Sequence, residues 1–230
     1  MKLPDKQRSI EAAIARVKDG DTVMLGGFGV PGTPFTLIQA LLRHGARDLT
    51  IVKNDANEPD MGVDHLLKSG QVSRLITTHL GLNGHAIEMM NTGQLEVEFN
   101  AQGILAERIR SGGSGLGGFL SDIGIDTELG TGKQVMEFNG KAYIIEAALR
   151  AQVALLHAAR ADSFGNLAYA ATAQNFNPLM AMAADCTIVE TEAVLPLGGL
   201  AANDIHTSGI FVDHVVELGV LSREYAVVQR

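Results

Sequence analysis

Sixteen residues near the start of the sequence, Asp19 to Pro34, hold its densest concentration of potential chemistry. Thr22-Val23-Met24-Leu25 is a short apolar, partly β-branched run, the pattern of a buried strand. Gly26, Gly27, Gly29 and Gly32 follow within seven residues, interleaved with Phe28, Val30 and Pro31. Thr33-Pro34 then opens an amphipathic segment, Phe35 to Leu42, with Thr33 suited to N-cap it and Pro34 to begin it. A strand, a loop bare of side chains and a helix start together make an anion-binding device, because backbone N–H groups can approach a ligand and the helix dipole favours negative charge. Gly27 to Gly32 also satisfies G-x-G-x-x-G, and Asp55 lies 23 residues beyond Gly32, near where a dinucleotide site places its ribose-binding acid. Two residues oppose a nicotinamide-dependent oxidoreductase. Pro31 removes a donor from the cradle, and Pro34 sets the helix start past the third glycine, which the dinucleotide fingerprint wants inside the helix.

A second glycine-dense stretch, Ser111 to Phe119, contains Gly115, Gly117 and Gly118 and reads as a loop without regular structure. Three glutamates have suggestive settings: Glu107 on a helix near Arg110, Glu146 ending a hairpin strand and Glu190 ending another strand. Each fits a structural role better than that of a nucleophile. The histidines (44, 65, 79, 85, 157, 206 and 214) show no metal spacing, so no metal site is expected. Gly130-Thr131-Gly132-Lys133 fails as a phosphate loop because Gln134 stands where Ser or Thr is required. The single cysteine, Cys186, lies in a strand-like run and reads as a buried structural thiol.

The elements that must position these groups alternate. Helical periodicity over Ser9–Lys18 precedes the strand at Thr22. Strands at Leu49–Val52, Val72–Thr77 and Leu95–Phe99 alternate with helices at 63–68, 84–90 and 102–109. That rhythm predicts βαβ units and a doubly wound, mostly parallel sheet with helices on both faces. Ligands in such sheets bind beyond the carboxyl ends of the strands, where the glycine loop, Asn54 and Asp55 all fall. Asn139-Gly140 between two alternating runs signals a type I′ hairpin, a small antiparallel excursion around residues 120–146. Strands at 153–156, 187–190 and 212–218 and a short helix from Asn177 complete one α/β domain spanning 1–230.

Composition narrows the classes. A net charge of −8 argues against a nucleic-acid surface and requires an anionic ligand to be held by local groups. One cysteine excludes an internal disulfide framework and fits a reducing, cytoplasmic setting. No signal peptide and no run of membrane-spanning length is apparent.

The opening stretch resembles the signature of family I coenzyme A transferases: Asp19, Gly20, the apolar triplet Val23-Met24-Leu25, then Gly26-Gly27-Phe28, Gly32 and Pro34. The likeness continues through Ala106–Arg110 into Gly115–Phe119, through Asp162–Asn166, Asn175–Leu179 and His206–Asp213, nearly end to end. It is nearest to the α (A) subunit of enzymes acting on acetate, acetoacetate or butyrate. The resemblance implies an enzyme that moves CoA between a short-chain acyl-CoA and a carboxylic acid through a glutamyl-CoA intermediate. CoA is then substrate and product, and no tightly bound cofactor is expected. The family's nucleophilic glutamate lies in a Glu-Asn-Gly motif of the β subunit, which this chain lacks. The resemblance therefore implies a hetero-oligomer, α2β2 or larger, in which Gly26, Gly27, Phe28, Gly29, Val30, Pro31 and Gly32 face CoA. It further implies that Gly115, Gly117, Gly118 and Phe119 form a turn beside the reacting thioester, while Asn54 and Asp55 are candidates for lining the cleft. A domain of the same fold that binds a CoA ester or sugar phosphate without turnover is the non-enzymatic alternative.

Overall fold

The structure, a computed structural model, describes residues 4–227. Its first half alternates regularly: α1 (Ile10–Ile14), β1 (Thr22–Leu25), α2 (Phe35–His44), β2 (Leu49–Val52), α3 (Val63–Lys68), β3 (Val72–Thr77), α4 (Gly84–Asn91), β4 (Glu96–Phe99) and α5 (Gln102–Gly113). An excursion follows, built from β5 (Gly118–Ser121), β6 (Val135–Phe138) and β7 (Lys141–Ala147). The chain then returns through β8 (Ala151–Ala158), β9 (Arg160–Asp162), β10 (Leu167–Ala168), α6 (Asn177–Ala183), β11 (Ala184–Thr191), β12 (Val194–Leu195) and β13 (His214–Glu217).

Seven strands form the central sheet in the order β13-β11-β8-β1-β2-β3-β4, every neighbouring pair parallel. Successive residues of the inner strands serve opposite faces. Val23, Leu25, Ile51 and Leu155 pack with α1 to α4, whereas Met24, Val52, Ala154 and Leu156 pack with α5 and α6. The doubly wound reading therefore holds. From β1 the chain winds outward through β2, β3 and β4, then through β8, β11 and β13 on the other side, so β1 marks the switch point of the sheet.

Several elements differ from their sequence reading. Helix α1 is only five residues long, capped by the Ser9 hydroxyl on the Ala12 amide, although Val17 beyond it is still buried. Thr33 does not cap α2: its hydroxyl turns back to donate to the Gly29 carbonyl at 2.6 Å, and Pro34 precedes the helix without a side-chain cap. The loop assigned to Ser111–Phe119 is instead the last turn of α5, a link at Ser114–Gly117 and the first two residues of β5. The glycines allow the helix to continue because it lies against backbone. A Cβ on Gly112 would overlap the Leu149 carbonyl, and one on Gly113 would sit 2.8 Å from Met182 Cβ. Gly115, at φ 74°, ends the run, and the Leu116 amide donates to Ser111 O at 2.9 Å. The hairpin at Asn139-Gly140 has φ 52° and 74°, as a type I′ turn requires.

This packing separates two adjacent glycines. A Cβ on Gly118 would lie 2.5 Å from Glu146 O, within the β5–β7 ladder, whereas one on Gly117 would meet nothing within 4 Å. Gly118→Ala should cost about 1–3 kcal/mol and Gly117→Ala less than about 0.5 kcal/mol, read as a difference in thermal midpoint. Equal midpoints would show that the β5–β7 pairing is not as described.

Candidate active site at the carboxyl edge of the sheet

The glycine loop leaves the end of β1, and internal hydrogen bonds shape most of it. Gly26 N donates to Leu155 O at 3.0 Å, Phe28 N to Pro31 O at 3.1 Å and Thr33 N to Val30 O at 3.2 Å. Gly29 N donates to Asp55 Oδ2 at 2.8 Å, and Asn57 Nδ2 and Thr33 Oγ1 both donate to Gly29 O. Asn175 Nδ2 holds Pro31 O at 2.9 Å. Gly27, Gly29 and Gly32 have φ of 101°, 57° and 78°, so the loop's path depends on glycine at these positions. Among the described residues, the amides of Gly27, Val30 and Gly32 have no acceptor. Gly27 and Gly32 are buried, the first against Thr33 and the second against Ala173, Asn175 and Asn177, so of the three only Val30 is a partly exposed residue.

The helix start is not part of that offer. Leu37 N donates to Glu190 Oε2 at 2.7 Å, and Glu190 also accepts from the Thr36 amide. Glu190 is fully buried, so the positive end of α2 is satisfied from within the chain. The anion-binding device read from the sequence is thereby reduced to the loop amides.

Asn54 and Asp55 do reach the carboxyl edge, but both are buried and engaged. Asn54 Oδ1 accepts from Gln102 Nε2 at 2.6 Å, Asn54 Nδ2 donates to Asp55 Oδ2 at 2.9 Å and the Thr78 hydroxyl donates to Asn54 O at 2.7 Å. Asp55 Oδ1 accepts from Asn57 N at 2.9 Å and lies 3.3 Å from the Lys53 ammonium. With its carboxylate committed to Gly29, Asn57, Asn54 and Lys53, Asp55 has no role left as a ribose acceptor, and the oxidoreductase reading loses its acid. Burial alone would push the Asp55 carboxyl up, but the Lys53 charge and the donated hydrogen bonds outweigh it and hold the carboxyl at about 2.

An unfolded aspartate titrates near pH 3.9, so Asp55 contributes stability that is complete above about pH 4 and is lost as pH falls toward 2. That contribution is about 2 kcal/mol on the acid side. Lys53, wholly buried, offsets it: its ammonium is shifted downward because desolvation exceeds the attraction of Asp55. We expect Asp55→Asn to flatten the loss of thermal midpoint between pH 4 and pH 2; a variant that keeps the full acid slope contradicts this assignment.

Two hollows flank Phe28, which is 47% exposed at the tip of the loop. One, of about 100 Å³, is lined by Val30, Met61, Leu80 and Leu82 with His79 and the exposed Glu58. The other, of about 280 Å³, lies between the loop, Gln102, Gly103 and Ala106 at the start of α5, and Phe176 and Leu179 of the α6 region. Gln102 was missed in the sequence. The signal available was its place as the first residue of a helix that follows a strand's carboxyl end.

Gly115, Gly117, Gly118 and Phe119 are not at this edge. Helix α5 starts beside Asn54 and runs back along the sheet. At its far end Leu149 N donates to Arg108 O and Arg150 to Gly112 O, just ahead of the first residue of β8. Twelve residues of helix separate the two glycine stretches by about 18 Å along the axis. The three singled-out glutamates are likewise committed: Glu146 to Lys133 Nζ at 2.7 and 2.9 Å, Glu107 to Arg110 at 2.8 Å, and Glu190 in the interior. No group of three or more His, Cys, Asp or Glu able to hold a metal occurs among the described residues, and no described helix is long and apolar enough to cross a membrane. Cys186 is a buried free thiol, its pKa pushed up chiefly by burial.

The carboxyl edge thus combines a glycine loop at the switch point with two flanking hollows, and the three singled-out glutamates are engaged elsewhere. The chain belongs to the coenzyme A transferase family, whose sequence pattern covers residues 7–218. It is 49% identical over 212 residues to a probable coenzyme A transferase subunit alpha of Bacillus subtilis, covering 92% of this chain and 93% of that one. It is 42% identical over 211 residues to the acetate CoA-transferase subunit alpha of Escherichia coli, covering 92% and 96%. These full-length matches place the chain among the α subunits of transferases. Its fold matches glutaconate coenzyme A-transferase of Acidaminococcus fermentans with a TM-score of 0.85 at 20% identity, over 97% of this chain and 78% of that one. It also matches an acyl-CoA transferase of E. coli O157:H7, solved as a thioester complex with CoA, with a TM-score of 0.84 at 20% identity, over 96% of this chain and 48% of that one.

Proposed function

We propose that this chain supplies one half of a short-chain CoA-transferase site, working in the cytoplasm with a β subunit that carries the nucleophilic glutamate. The observation that carries the reading is the glycine loop at the switch point of the sheet, whose Gly27, Val30 and Gly32 amides have no acceptor among the described residues, with Gln102 and Asn54 alongside. In the proposed reaction the partner's carboxylate attacks the acyl-CoA thioester, giving an acyl-glutamyl anhydride and CoA thiolate. The thiolate attacks the anhydride to leave a glutamyl-CoA thioester and the free acid, and an acceptor carboxylate reopens that thioester by the same steps in reverse. A covalent carboxyl intermediate keeps the acyl group activated, so no ATP is required. Each addition creates an oxyanion, and one preorganised backbone donor can be worth about 3–4 kcal/mol to it. The Val30 amide, on a partly exposed residue that lines the hollow beside Phe28, is the best placed of the loop amides for that task. The hollow beside Val30, Met61, Leu80 and Leu82 is apolar and small, about 100 Å³, which supports a short acid such as acetate, acetoacetate or butyrate over a long acyl chain.

The test is CoA exchange between acetyl-CoA and acetoacetate by the chain combined with a CoA-transferase β subunit. Turnover by the pair supports the reading. Tight CoA-ester binding by the pair without turnover favours a binding domain instead.

A further inference from the structure

Two buried acid–base pairs lie beneath the glycine loop, one on each side of it. Strand β1 sits between β2 and β8, with β11 beyond β8. Past the end of β2, Lys53 contacts Asp55 at 3.3 Å, and Asp55 accepts the Gly29 amide at 2.8 Å. On the opposite side His157 of β8 faces Glu190 of β11 in register, Nδ1 to Oε1 3.0 Å, and Glu190 accepts the Leu37 amide at 2.7 Å. Lys53, His157 and Glu190 are each at most 1% exposed, and Asp55 is 5% exposed. Further contacts tie the second pair to the loop's exit. His157 N donates to Asn177 Oδ1 at 3.4 Å, and Asn177 Nδ2 donates to Gly32 O at 3.2 Å. The Tyr225 ring lies 5.0 Å from the imidazole and its hydroxyl donates to Thr33 O, while Glu192 Oε1 is 3.4 Å from His157 Nε2.

We propose that Lys53–Asp55 and His157–Glu190 are positioning pairs that fix the entry and exit of the glycine loop, so that the loop keeps its shape beside the CoA ester. This rests on the transferase reading above. Asp55 is held in its charged form and contributes the acid-side stability described above, but Lys53 and Glu190 are not so held. Burial shifts Lys53 down and Glu190 up despite their partners, so each pair holds a charge the interior disfavours. What each carboxylate does instead is occupy one flank of the loop: Asp55 takes Gly29 N, and Glu190 takes the amides at the start of α2. A bound anion is thereby excluded from the helix end and from Gly29, which leaves the exposed face of the loop at Phe28 and Val30.

The test uses the chain assembled with its β subunit and compares Glu190→Met, which offers no acceptor, with Glu190→Gln, which keeps one. We expect Glu190→Met to raise the KM for the CoA ester at least about tenfold while leaving the KM for the acceptor acid near wild type. Hydrogen exchange of residues 26–34 should quicken in the same variant. Glu190→Gln should stay within about threefold of wild type on both readouts. A folded Glu190→Met enzyme with wild-type KM and exchange overturns the proposal, and so does a Glu190→Gln enzyme as impaired as the Met variant. If Glu190→Met does not fold, Lys53→Met reads the other flank: the same rise in CoA-ester KM and faster exchange support the proposal, and wild-type values sink it. Absence of CoA transfer by the wild-type pair would count against the transferase reading itself, a separate outcome.

Discussion

Gly27→Ala in the assembled enzyme should lower the transfer rate at least about a hundredfold while most of the chain remains folded. The residue has φ 101°, and a Cβ there would stand 2.6 Å from Thr33 N and 2.7 Å from Thr33 Cα. Those are backbone atoms at the entry to α2, so no side chain can rotate to make room. The loop itself must move, carrying the Gly27 amide and its neighbours with it. A displacement of about 1 Å in a positioned donor can cost about two orders of magnitude, and loss of one oxyanion donor costs a similar amount. The backbone strain adds about 1–3 kcal/mol to the cost of folding, seen as a lower thermal midpoint. Gly29→Ala is the control. Its φ of 57° lies in the left-handed region, its Cβ would meet nothing within 4 Å, and it should lose no more than about tenfold. Retention of full activity by Gly27→Ala would remove the loop from the site.

The chain by itself should exchange no CoA above the uncatalysed rate, whereas adding a β subunit should restore exchange outright. Glu107, Glu146 and Glu190 are tied to Arg110, Lys133 and His157. None of them can attack a thioester held at Gly27 without first leaving its partner. Donors without a nucleophile can bind a thioester and polarise it but form no covalent intermediate, so the two-step exchange has no first step. Exchange by the purified single chain would overturn the half-site reading. Glu58, among the residues lining the apolar hollow, would then be the first carboxylate to replace with Gln.

Much of the fold was legible because its signals are local. Thr22–Leu25, Leu49–Val52, Val63–Lys68 and Val72–Thr77 form where their apolar periodicity places them, and Gly45, at φ 79°, ends α2 as a left-handed cap. What escaped notice depends on distant partners. Gly112 and Gly113 look like helix breakers until Leu149 and Met182 are found pressed against them. Thr33 has the composition of an N-cap, but Gly29 O competes for its hydroxyl and Glu190 supplies the helix amides from 153 residues away. Glu190 read as a strand end because its partner His157 lies 33 positions earlier, on the neighbouring strand. That the two glycine stretches meet opposite ends of α5 is likewise invisible in sequence, because periodicity does not show which end of a helix a distant loop reaches.

The central place of β1 also bears on how the molecule is made. Its partner β2 follows within a few dozen residues, but the other, β8, begins only at Ala151. While the polypeptide emerges from the ribosome, β4-β3-β2-β1 can assemble as a four-stranded layer whose last member has one row of bare peptide groups, including the Gly26 N–H that will find Leu155 O. The glycine loop therefore takes its working shape only once Glu190, about four-fifths of the way along the protein, has been synthesised, and the nascent first half is the species most in need of a chaperone.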